Sequence, residues 1–175
     1  MQLIRLTRGF ARLGPKDQVR LLAAWVLLGI TRLLIIVLPF PVLRVLLGEH
    51  NADSPGNPVL PAERHIAARI GGIVRLAARH TPWKSECYPQ ALTARVFLVA
   101  ARVPHVVSFG VRRENNQLVA HAWVHTDGTP ITGGIPRDYT EVASFTWVPA
   151  GPHRWRNRAH VRRLRPDAPE RDRAS

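Results

Sequence analysis

The chain is poor in cysteine, lysine and acid. Cys87 is its single cysteine, and Lys16 and Lys84 are its only lysines. One cysteine excludes an intrachain disulfide framework and a CxxC metal clasp. No HExxH or paired metal-ligand spacing occurs, so no metal and no other cofactor is expected. Twelve acids stand against 25 Lys+Arg, a net charge of +13 carried almost wholly by arginine. Such a surface attracts polyanions, an anionic membrane face or acidic peptides. A GC-rich genome writes the same arginines, so charge alone names no partner. The absence of a disulfide framework suits the cytoplasm.

What is present is apolar. With 46% hydrophobic residues the chain is not disordered, and 175 residues make most simply one domain with a real core. The N-terminus does not read as a secretory signal: the apolar run begins late, near Leu21, and ends in Pro39-Phe40-Pro41 without a small-residue cleavage site. From Leu21 to Phe40 the run approaches membrane-spanning length, but Arg32 lies inside it. An arginine at the bilayer centre costs roughly 2.5–3.5 kcal/mol. The expectation is an apolar helix packed in or against the domain, or lying on a membrane surface.

The pattern predicts a helix from about Lys16 to Leu38, stopped by Pro39 and Pro41. A short helical piece over 42–47 and a loop rich in Asn, Asp, Ser, Gly and Pro follow. A second helix starts near Pro61, with Ile66, Ile70, Ile73, Val74 and Ala77 on one face. Gly71 and Gly72 there point to close packing against another helix. A third helix runs from about Cys87 to Ala101, with Leu92, Val96 and Val99 as its core face. Pro89 is tolerated only in a first turn, which fixes Cys87 near the helix start. After Pro104 the period changes to two. VVSFGV, Leu118–Thr126, Thr129–Thr132 and Phe145–Val148 read as strands, with hairpin turns at Glu114-Asn115-Asn116 and Asp127-Gly128. The fold class is α+β: N-terminal helices packed on an antiparallel sheet, with a basic tail after Pro149.

Cys87 has two readings. A lone cysteine is commonly a small buried hydrophobe. At a helix start it is also a candidate nucleophile, because the helix dipole favours the thiolate and free N–H groups can hold an oxyanion. His121, set between two alanines on a strand, is a candidate general base or a satisfied core histidine. His125 shares its face, lies nearer the turn and is expected to be exposed. An acid orienting His121 has three local candidates, Asp127, Asp138 and Glu141.

The segments PWKSECYPQALTARVFL, VSFGVRR and AHAWVHTDGTPITGG together resemble the transglutaminase-like cysteine protease that processes lasso-peptide precursors. The apolar helix followed by LPFPVLRVLLG is also similar to that family, and the resemblance runs from about Lys16 to Phe145. It implies a transglutaminase-like, papain-like core over 61–148, a helical region over 1–60 before it and a tail over 149–175 after it. It implies Cys87 as nucleophile and His121 as base. The family's acid follows the hairpin, where this chain has Thr132-Gly133-Gly134, so Asp127 is the remaining candidate for the third role. The implied activity is leader removal by a cytoplasmic cysteine endopeptidase. The implied partners are the precursor peptide, a separate leader-binding recognition protein and an asparagine-synthetase-like lasso cyclase. Membrane-surface contact is also considered, and nucleic acid is not expected. The competing reading is a non-catalytic basic adaptor on a membrane surface or nucleic acid, with Cys87 merely buried.

Overall fold

The computed structural model describes residues 14–39, 42, 49–50, 59–134 and 138–149. All but Val42 of the expected short helix at 42–47, most of the loop after it and nearly all of the basic tail lie outside the described residues. Three helices and five strands make up the rest: α1 (Pro15–Val37), β1 (Glu49–His50), α2 (Pro61–Ala78), α3 (Cys87–Ala100), β2 (His105–Glu114), β3 (Gln117–Thr126), β4 (Thr129–Thr132) and β5 (Thr140–Trp147).

Local chemistry sets the helix ends. Pro15 and Pro61 open α1 and α2, where a missing N–H costs nothing. The Leu60 N–H donates to Glu63 Oε2 at 2.9 Å, satisfying one donor at the start of α2. The sheet is antiparallel, with strand order β1-β5-β2-β3-β4. Its two tight hairpins have both central residues at positive φ: Asn115 (48°) and Asn116 (62°), then Asp127 (48°) and Gly128 (72°). This is the backbone that two-residue loops need to match strand twist.

Two strands depart from expectation. Residues 49–50 pair with β5 where a loop was predicted. β5 begins at Thr140, five residues early, because Thr140 to Val142 are exposed and show no alternation. Their strand geometry comes from pairing with Gly110 and Val111, which is a tertiary effect.

The helices lie on one face of the sheet. Ile70 and Val74 of α2 and Ala91, Leu92, Ala94 and Leu98 of α3 enclose a core with Val107, Phe109, Ala122, Val124, Ile131 and Phe145. A second cluster, Ala24, Leu28, Ile73 and Ala77, joins α1 to α2. Ile66 and Val96, predicted inside, are exposed. In α3 the inward stripe runs through Ala91, Ala94 and Leu98, where alanines let the helix settle closely on β3 and β4. Gly71 does mark close packing, but against a strand: a Cβ there would clash with the Ile131 carbonyl oxygen.

Polar groups also fasten α1. Buried Asp17 accepts from Arg69 Nε of α2 at 3.1 Å, and that hydrogen bond holds its carboxyl below the ordinary range. Thr31 Oγ1 lies 3.4 Å from the Pro89 carbonyl and 3.3 Å from Thr93 Oγ1, tying α1 to the first turn of α3.

His105, at the start of β2, is wholly buried; its Nδ1–H donates to the Val103 carbonyl at 2.8 Å. Burial pushes its pKa down to about 4, and the nearby Arg95 and His125 act in the same direction. The unfolded chain therefore binds this proton below about 6.5 and the folded protein only below about 4. Stability from His105 is complete above the upper value and is lost as pH falls through the window, by up to about 3 kcal/mol. Urea unfolding across that window is expected to show this slope, and His105→Asn is expected to flatten it.

Candidate active site

Cys87 is the first residue of α3, and the N-cap, Glu86, makes no side-chain cap. Pro89 has no N–H, and the Gln90 N–H is already directed to the Glu86 carbonyl at 3.3 Å. The N–H groups of Cys87 and Tyr88 are thus the donors this first turn offers to an anion. Cys87 is a free cysteine and is half-buried.

His121 lies on β3 opposite Gly110 of β2. Its Nε2 is 2.7 Å from the Gly133 carbonyl oxygen. A carbonyl only accepts, so Nε2 carries the proton and Nδ1 of the neutral ring is the acceptor. The ring stacks near Trp123 at 6.0 Å and Tyr139 at 4.9 Å between centroids. The Arg112 guanidinium lies over the Tyr139 ring, 5.0 Å from its centroid.

Strand alternation gives His121, Trp123 and His125 to the face away from the helices, while Ala122 and Val124 belong to the helix-covered core. Pairing of β3 with β4 reaches only Val124↔Thr132, so β3 up to Trp123 has no strand on that side among the described residues. The bond to Gly133 ties the imidazole to the residue that follows β4. Cys87 and His121 line one cavity of about 550 Å³, without a direct hydrogen bond between them. Its walls are chiefly apolar: Tyr88, Phe109, Val142 and Phe145 contribute, with Ala120 and Ala122 beneath. Burial raises the Tyr88 phenol to about 12, so it stays protonated. Among the described residues no cluster of His, Cys, Asp and Glu is placed to hold a metal ion.

Asp127 is not the group that orients His121. It sits in the β3–β4 turn with its carboxylate on Arg64 of α2, six residues and about 20 Å along the strand from His121. Asp138 is exposed in a turn, and Glu141 acts on His125, whose pKa it raises against the larger lowering by burial. His125 is half-buried rather than exposed: its Nε2 faces Ser108 Oγ at 3.5 Å across the β2–β3 pair. The orienting acceptor is main chain. Gly133 has φ +82°, and a Cβ there would meet the Ala122 carbonyl oxygen at 2.5 Å, so only glycine brings its carbonyl this close to His121. The glycine pair after the hairpin was its one trace in the sequence. Tyr139 and Arg112 carried no such signal.

These contacts separate two substitutions. Asp127→Ala is expected to leave the rate of Cys87 alkylation by iodoacetamide unchanged and to lower stability by at most about 1 kcal/mol, since the Arg64 pair is exposed. Gly133→Ala is expected to cost about 1–3 kcal/mol through overpacking. It should also change the His121 tautomer balance, read from the imidazole nitrogen shifts by NMR.

No curated protein and no solved structure matches the chain. A family model does match, over residues 34–148, about two thirds of the 175 residues. The match spans the end of α1, both other helices and the whole sheet, and so takes in Cys87, His121 and Gly133. The chain belongs to the transglutaminase-like superfamily, which includes cysteine proteases.

Proposed function

We propose that this protein is a cysteine endopeptidase that removes the leader from a ribosomally made lasso-peptide precursor in the cytoplasm. The observation that carries the reading is the shared cavity of Cys87, at a helix start, and His121, held by Gly133 as a proton acceptor. The combination of the Cys87 segment with HAWV-x-x-DG, which resembles the lasso-precursor proteases, supports the substrate class.

In this mechanism His121 Nδ1 takes the thiol proton and the Cys87 sulfur attacks the carbonyl carbon at the leader–core junction. The oxyanion forms against the N–H groups of Cys87 and Tyr88. The imidazolium gives its proton to the departing amine, the C–N bond breaks, and a thioester to the leader remains. Water then attacks the thioester carbon, losing its proton to His121, and the leader leaves as a carboxylate while the thiol is restored. The Gly133 carbonyl keeps the imidazole aligned through both proton transfers. A separate leader-binding protein delivers the precursor, and a lasso cyclase uses the freed core.

Cys87→Ser is expected to abolish precursor cleavage, followed by mass spectrometry, with the fold intact. His121→Ala is expected to lose about as much, and the double variant no more than either, because the two act as a unit. His125→Ala should be far milder. Undiminished cleavage by Cys87→Ser would instead favour a non-catalytic, basic adaptor.

Delivery by a partner has its own signature. The protein alone is expected to cleave precursor slowly, and adding the leader-binding protein to raise the rate through effective concentration. Equal rates with and without that partner would refute the division of labour while leaving the peptidase assignment standing.

A further inference from the structure

We propose that the outer face of α1 docks on an anionic bilayer, with the helix lying along the membrane surface rather than crossing it. The inner face of α1 is buried at Asp17, Ala24, Leu28 and Thr31. Opposite it runs an unbroken apolar stripe of Val19, Leu22, Val26, Ile30, Leu33 and Val37, about 27 Å long. Leu22 is 59% exposed, Leu33 60% and Val37 66%. No charged residue interrupts the stripe. Contiguous exposure on this scale marks an interaction surface.

Three observations choose the occupant. First, α1 is long and apolar enough to cross a membrane, yet it is bound lengthwise to the domain. Asp17 pairs with Arg69, Thr31 reaches the Pro89 carbonyl, and Ala24 and Leu28 pack on Ile73 and Ala77. Spanning would break these contacts or drag Arg69 and the rest of α2 into hydrocarbon. Second, the stripe advances by three, four, four, three and four residues. That spacing matches the roughly 3.6 residues of a helical turn, so the stripe stays nearly straight along the axis and does not follow the seven-residue repeat of a left-handed coiled coil. It suits a flat surface better than a second helix. Third, charge discriminates. Lys16 and Arg32 flank the stripe, and the one acid of α1, Asp17, is turned inward and paired with Arg69 and Arg20. A second copy of the chain carries the same +13 and is repelled, whereas anionic headgroups attract it. Apolar insertion and basic attraction then act together, as in interfacial helices.

The test uses the full chain with extruded phosphatidylcholine vesicles, with and without phosphatidylglycerol, and measures co-sedimentation. Expected is binding to the anionic vesicles that weakens in high salt and on pure phosphatidylcholine. The V26E/L33E variant should bind at least about ten-fold more weakly, since two buried apolar side chains are lost. Its circular dichroism and melting temperature should be unchanged, because both positions are exposed. Equal vesicle binding by V26E/L33E, or no binding by the native chain, would overturn the proposal. So would a native dimer in solution that the same variant dissociates, which would assign the stripe to a second copy. Resistance of the bound protein to alkaline carbonate extraction would overturn it in favour of a spanning helix.

Discussion

The close contact of α3 with β3 is the constraint on which the rest of the molecule depends. It is made with small side chains: Ala91 and Ala94 on the helix, Ala122 on the strand, all fully or almost fully buried. Packing density falls steeply with even small gaps, so a helix resting on alanines is held at one depth and one angle. Both candidate site residues inherit that precision. Cys87 begins the helix, and His121 is flanked on the strand by Ala120 and Ala122. Larger residues at those positions would lift the helix and move the thiol off the cavity. The polar tie from Thr31 to the Pro89 carbonyl steadies the same turn from the other side, so α1 contributes to the site without touching it.

The second determinant is electrostatic. In a triad, an ionised acid both aligns the histidine and stabilises its positive form. A main-chain carbonyl aligns as well but carries only a dipole, and charge-assisted bonds are about twice as strong as neutral ones. In the proposed mechanism the Cys87–His121 pair therefore works as a dyad whose imidazolium is steadied by geometry more than by charge. The stacked rings of Trp123 and Tyr139, with the Arg112 guanidinium over Tyr139, add confinement rather than negative charge.

How far the sequence reveals this depends on whether a feature lives in side chains. The helix start at Cys87 was legible because Pro89 can occupy only a first turn, and the strand bearing His121 from its period of two. Both hairpins were legible from Asn115-Asn116 and Asp127-Gly128, whose residue types tolerate positive φ. The α3 core face was misread at Val96, since helical spacing alone does not say which of two apolar stripes, one alanine-rich, meets the sheet. The start of β5 was hidden because its strand geometry is imposed by β2. The position of His125 followed from sheet width, since β2 and its Ser108 cover a residue that looks exposed from its distance to the turn. Asp127 attracted attention as a nearby carboxylate, but its turn aims it at Arg64.

The Gly133 carbonyl has one more consequence. A functional group supplied by the peptide backbone exists whatever side chain stands at its position, but here only glycine lets it reach the histidine. Its alignment is written into the path of the chain, through the positive φ of Gly133 and the tight fit beneath Ala122 and Trp123. Comparing members of this superfamily by the identity of an acid would thus score the present chain as incomplete, although its histidine is anchored. The informative comparison is of loop length and glycine placement after the hairpin, where a shift of one residue would swing the carbonyl away as surely as a mutation removes a carboxylate.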